Sequence, residues 1–349
     1  MQIRKWPLPV LLLSGICILL VSCFLGLQLG YLPVSAKEVF VVLCYKLTND
    51  YAVQAESYIL DAVWDFRLPR ILLAACAGMG LSLSGTVMQA VFRNPLAGPY
   101  IIGISSGASL GAACVIFLGW GLSFGVASVG IGACLGAVFV SFLVILYYGR
   151  NKNQKTANLL IFGIAMNAVC SGVTSVLVYA GANSSGMDIT LYWTMGSVAG
   201  ARLYPTLFLL SVVLLAAVFF YAHSRVLNLM LEGESAAVSL GYKLPPYFKR
   251  FLFINAVLTG CIVMNTGLIG FIGLLVPHFM RLLLGADHRR LLPMAVVGGG
   301  IIAVWADIFS RILIVGRELP LGVMISLIGS PVFIVLLIIR AVRVYRRAL

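Results

Sequence analysis

Charge is scarce in this chain. Only 10% of its 349 residues are Asp, Glu, Lys or Arg, whereas about 25% is usual for a soluble domain. Acidic residues number 11 and histidines three. With 61% of residues hydrophobic, a water-soluble globule would expose far too much hydrocarbon, so that class is excluded. Cysteine offers no metal or redox pair. The eight are Cys17, Cys23, Cys44, Cys76, Cys114, Cys134, Cys170 and Cys261, and no two stand three apart. All but Cys44 fall inside apolar runs, where the residue acts as a small hydrophobe. No Gly-Lys dipeptide occurs, so there is no Walker A loop, and any nucleotide that drives this chain must sit on another one. No nucleophile stands beside a base, and a membrane-embedded enzyme would lack its catalytic set. His278 has no second His or carboxylate at ligand spacing, so no metal site is expected.

What is present is a series of apolar runs. They predict a polytopic all-α membrane protein with about ten transmembrane helices, at about 7–29, 68–91, 100–118, 123–148, 156–180, 203–223, 251–266, 274–284, 292–315 and 319–339. The first run is too long for the roughly 7–15-residue core of a signal peptide and reads as a retained span. Arg4 and Lys5 before it hold the N-terminus in the cytoplasm. The eighth is short, carries Pro277 and follows the glycine-rich Gly267–Gly273 bend, so part of it is expected to be broken or re-entrant. Segment 31–67 is mixed and polar and is expected outside, and residues 181–188 are read as an outer loop. This arrangement divides the 24 basic residues 17 to 7 in favour of the cytoplasmic side, and both termini lie inside. The net charge of +13 thus reflects topology rather than nucleic-acid binding.

The chain is organised around 225–250, a polar-rich interruption between two apolar runs. Glu232, Gly233 and Glu234 precede the small residues Ser235, Ala236, Ala237, Val238, Ser239 and Leu240, and Gly241 follows. Acid first and glycine last is how a short helix starts and stops. The expectation is one short cytoplasmic helix offered to a soluble partner. Gly103, Gly107 and Gly111 recur every four residues and should let a neighbouring helix approach. Asp307 and Arg311, four apart, can pair on one helix. Gln89, Asn94 and Asn167 suit helix–helix hydrogen bonds.

Several segments together resemble one family. They are Arg67-Leu-Pro-Arg70, Gly85-Thr-Val-Met-Gln89-Ala, Asn94-Pro-Leu96-Ala and Gly103-Ile-Ser-Ser-Gly107. Trp193 through Ser197, Gly270 through His278 with Arg281, Asp287-His288-Arg289, Ala306-Asp307 through Arg311, Glu318 through Gly322 and Gly329 through Phe333 follow in order. The chain resembles the FecCD family, permeases of binding-protein-dependent ABC importers for iron-siderophores, haem and cobalamin. The resemblance implies the type II ABC importer permease architecture, a single permease domain over 1–349 and a homodimer or close heterodimer with its pathway at the subunit interface. It implies two ATPase copies that hold the ATP and Mg, with no cofactor on this chain, and an extracytoplasmic binding protein. Glu232, Glu234, Ser235, Ala236, Ala237, Leu240 and Gly241 would form the coupling segment against the ATPase. Arg67, Arg70, Arg311 and Arg317 would meet acidic groups of the binding protein. Asn94, Leu96, Thr156 and Ala157 would fall at the inner gate. The competing reading is a secondary transporter driven by an ion gradient. It would need a membrane-embedded carboxylate, and Asp307 is the one well inside an expected span.

Overall fold

The computed structural model describes residues 6–30, 32–48, 56–120, 127–150, 156–181, 184–314 and 316–348. Arg4, Lys5, Lys152 and Lys155, used above to orient the chain, lie outside them, as do the side chains of Thr156, Ala157 and the C-terminal arginines. The described residues are helical and contain no strand. In order they form α1 (Leu8–Gln28), α2 (Ala36–Thr48) and α3 (Ser57–Leu60), and then a π-helical stretch, Asp61–Arg67, that runs into α4 (Leu68–Val91). Next come α5 (Ile104–Leu118), α6 (Ser128–Arg150), α7 (Thr156–Ala180), α8 (Ser184–Met195) and α9 (Leu203–Ala222). The chain ends with α10 (Ser224–Glu232), α11 (Glu234–Ser239), α12 (Leu244–Thr266), α13 (Ile272–Leu284), α14 (His288–Ile312) and α15 (Leu321–Ala348).

Among the described residues, seven helices are long and apolar enough to cross a membrane, and three shorter apolar ones stand at Ile104–Leu118, Ile272–Leu284 and Leu321–Val335. Together these occupy the ten expected positions. Helix α13 has 13 residues, about 20 Å at 1.5 Å per residue, too short for a hydrocarbon core of about 30 Å. The backbone enters it without helix, through Gly267 and Phe271 at φ +65° and +63°.

Two helices stand in the segments expected outside. Residues 36–48 form a helix because Ser35 and Glu38 make a capping box. The Ser35 amide and hydroxyl both donate to Glu38 Oε2 at 2.7 Å, and the Glu38 amide donates to Ser35 Oγ at 3.3 Å. The loop expected at 181–188 is corrected from residue 184 onward, where α8 begins. The span expected from 251 begins at Leu244, where Pro245 and Pro246 supply the fixed φ that favours a helix's first turn.

Helix α4 is the hub, with 20 of its 24 residues buried. Small residues make this possible. A Cβ built on Gly78 would lie 2.2 Å from the Gly299 carbonyl oxygen of α14, and one on Gly85 would lie 1.8 Å from that of Gly273 in α13. These backbones touch directly, the contact that drives helix association where lipid removes the hydrophobic incentive. Helices α5 and α6 are joined the same way, Gly107 against Gly136 and Gly111 against Gly132. Gly103 departs from the expected stripe: it is the N-cap of α5, at φ +81°, and lies against α7 at Gly163.

Candidate functional site

Because α4 and α14 cross the bundle side by side, their ends define two faces. On the basal face α4 ends, α10 and α11 lie, and α14 begins. On the apical face stand Arg67, Arg70, Arg311 and Glu318.

The basal segment is two helices rather than the single one expected. Gly233, at φ +109° and ψ 172°, breaks the chain between them, a conformation that L side chains rarely adopt. Glu232 therefore ends α10 and only Glu234 starts α11, where its charge suits the helix N-terminus. Val226, Leu227 and Met230 bury the inner face of α10. The outer surface presents Glu232, Glu234, Ser235 and Gly241, with Val238 and Leu240 projecting at 61% and 64% exposure. Ala236 is half-buried, and Ala237 is fully buried. Ala237 thus packs inward and offers nothing to a partner, against expectation.

Asn228 was not singled out by sequence, yet it anchors this segment. Its Nδ2 donates to Asp287 Oδ1 at 2.7 Å. Its Oδ1 accepts the His288 amide at 2.9 Å and lies 2.6 Å from His288 Nδ1. Asp287 is also the N-cap of α14, accepting the Arg289 amide at 3.1 Å. Burial would raise its carboxyl, but the hydrogen bonds from Asn228 and the Arg289 amide, with the Arg289 charge, hold it below the usual range.

The turn after α4 lies against the same segment. Arg93 sits at φ +49°, and its guanidinium covers Gly233 so closely that a Cβ there would lie 3.0 Å from Arg93 Nη1. Asn94 folds back in an Asx turn, accepting the Leu96 amide at 2.9 Å, rather than bonding a second helix. Leu96 is exposed. Gln89 does bridge helices, accepting from Arg281 of α13 at 2.7 Å. Asn167 instead lies on the exposed face of α7, with Ser171, Gly172 and Ser175.

The apical arginines are turned inward. Arg67, 8% exposed, donates through Nη1 to the carbonyls of Leu27 and Gln28 at 2.7 and 2.9 Å, and through Nη2 to that of Leu32. Arg311, 7% exposed, donates to Gly26 O at 3.1 Å. Both arginines satisfy carbonyls at the end of α1 that a helix leaves unpaired, and both complement its dipole. Arg311 Nε also pairs with Asp307 Oδ2 at 3.1 Å across one turn, while Arg70 reaches Asp307 Oδ1 at 2.8 Å and Glu318 Oε2 at 2.6 Å. Arg67, Arg70 and Arg311 thus line a cleft of about 340 Å³ together with Phe66, Ala199 and Glu318. Arg317 alone of the four expected docking arginines is exposed.

Comparison with known proteins agrees with this architecture. The FecCD transport family matches residues 18–339. The chain is 37% identical over 337 residues to the hemin transport system permease protein HmuU of Yersinia pestis, covering 95% of this chain and 96% of that one. It is 40% identical over 283 residues to the cobalamin import system permease protein BtuC of Halobacterium salinarum, covering 80% and 74%. A solved inward-facing structure of a metal-chelate type ABC transporter superposes with a TM-score of 0.82 at 31% identity, covering 94% of this chain and 99% of that one. With its all-helical type II permease architecture, its apolar spans and this match across most of its length, the chain belongs to the FecCD transport family.

Proposed function

We propose that the chain is the permease subunit of an ATP-driven importer that moves a bulky metal chelate across the cytoplasmic membrane. An iron-siderophore ranks first as cargo, with haem or cobalamin next. One observation carries the reading: a greasy chain without a nucleotide loop exposes an acid-edged, apolar-tipped segment at Glu232–Gly241. Such a knob suits a groove on a soluble ATPase, which would hold the ATP and Mg while this chain binds no cofactor. The basal face is then cytoplasmic, with both termini on that side, and two ATPase copies serve two permease subunits.

The second permease is supported by α7. Only 11% of its most apolar window is buried, yet it turns Asn167, Ser171, Gly172 and Ser175 outward. Polar and small residues at mid-span suit another helix or a watery path better than lipid. A second copy facing α7 would enclose the pathway, with Asn94, Leu96, Thr156 and Ala157 at its inner gate. On the apical face a binding protein would meet Arg317 and the cleft beside it, where charge complementarity governs orientation and on-rate. The relatives named for hemin and cobalamin support the chelate class. An ion-gradient transporter is disfavoured, because Arg70 and Arg311 both neutralise Asp307.

The test is uptake of a haem or ferric-siderophore probe into liposomes that hold this chain, its ATPase and its binding protein. The reading expects uptake only with ATP and all three components. Uptake by this chain alone under a proton gradient overturns it.

A further inference from the structure

We propose that Asn228 is the joint that fastens the basal segment to a rigid α4–α14 lever, so that displacement of α10 is delivered to the apical cleft. The inference rests on the proposed function only in taking an ATPase as the source of that displacement.

Three observations carry it. First, both polar ends of the Asn228 amide are committed to Asp287 and His288 at the start of α14. The carboxylate needs a donor and the His288 amide needs an acceptor, so the amide can sit in one orientation only. Second, α14 is packed backbone to backbone on α4, because Gly78 and Gly299 leave no room even for a Cβ between the two. Helix α13 is held to α4 likewise at Gly85 and Gly273, and again by Arg281 on Gln89. Third, the far end of this body is the apical cleft, where Arg70 of α4 grips Asp307 of α14 at 2.8 Å. The 25 residues of α14 span about 37 Å at 1.5 Å per residue. One welded pair of helices therefore connects the Asn228 joint to the arginine–carboxylate cluster. Arg93 over Gly233 is a second point where the same body touches the basal segment.

The other cavities carry less. The 480 Å³ groove lined by Leu12, Ala217, Tyr221 and Val297 is apolar, as a lipid-facing surface is. Coupling through a packed body with two arrangements is the physical alternative to a loose loop that pushes on whatever lies near it.

The test is hydrogen exchange of the assembled permease–ATPase complex with and without ATP–Mg and vanadate, which needs no transported substrate. In the unaltered protein, exchange changes both in α10 and at the apical end of α14. In Asn228→Ala the α10 change stays, and the apical change falls by roughly 2- to 30-fold, the range expected for a residue along a coupling route. Asn228→Asp sets a carboxylate against Asp287 and behaves the same way. Combining Asn228→Asp with Asp287→Asn swaps the two groups and restores the apical change, which also answers any loss of folding in the single variants. An apical change that survives in Asn228→Ala, that is absent from the unaltered complex, or that the swap fails to restore overturns the proposal. If α10 shows no nucleotide-dependent change even in the unaltered complex, the ATPase reading itself has failed.

Discussion

Arg70 on α4 reaches Asp307 on α14 at 2.8 Å, joining residues 237 apart in sequence. Asp307 is fully buried and is shared with Arg311 of its own helix. Two cations therefore depend on one buried anion. Asp307→Ala leaves both without it, and destabilisation of about 3–5 kcal/mol is expected from breaking a buried ion pair on one side. Thermal unfolding in detergent measures this. Asp307→Asn separates the competing transport mechanisms as well, because it abolishes ATP-free, proton-driven uptake only if Asp307 carries a proton.

The glycine contacts give a graded series. Gly85→Ala puts a methyl 1.8 Å from a backbone oxygen, so α4 and α13 must part, at a cost of about 1–3 kcal/mol or more. Gly172 has nothing within 4 Å of its built Cβ. Gly172→Ala in the isolated chain, in the middle of α7, should then be neutral or stabilising, by up to about 1 kcal/mol. Melting temperatures of the two purified variants check the contrast.

Gly233 separates α10 from α11 at φ +109°, with Arg93 packed on it. Gly233→Ala pays backbone strain of about 1–3 kcal/mol and meets the guanidinium. The prediction is a displaced Glu234–Leu240 knob and weaker capture of the ATPase. Co-purification of the two subunits, compared with that for the unaltered protein, reads the effect.

Asp287 supplies a pH dependence. Its folded pKa is lowered, so its contribution is present above the unfolded value of about 3.9 and is lost as pH falls through the folded value. Asp287→Ala should lower the melting temperature at pH 7. The gap between variant and parent should close as the pH is brought towards 3.

The spans were legible because burial in lipid leaves long apolar runs and basic residues mark their ends. The Asp307–Arg311 pair was legible from its four-residue spacing. Helix α2 could have been found, since Ser35-x-x-Glu38 is a capping box in plain view, but the acids and lysines around it marked the segment only as polar and outside. The inward turn of Arg67 and Arg311 could not be read, because it depends on where the end of α1 leaves its carbonyls. Asn228 left one faint signal, a lone amide among the leucines of a short segment, and its partners lie about 60 residues away. The break at Gly233 was hidden because acids on both sides of it looked like the start of one helix.

The central claim is that the Glu232–Gly241 knob takes the force of ATP hydrolysis from a separate subunit. A photo-crosslinking amino acid placed at Leu240, 64% exposed, tests it most directly in the assembled complex. The account predicts a crosslink to the ATPase whose yield changes between nucleotide-free and ATP-bound states. A crosslink to the extracytoplasmic binding protein, or none to any nucleotide-hydrolysing subunit in a complex that transports, contradicts it.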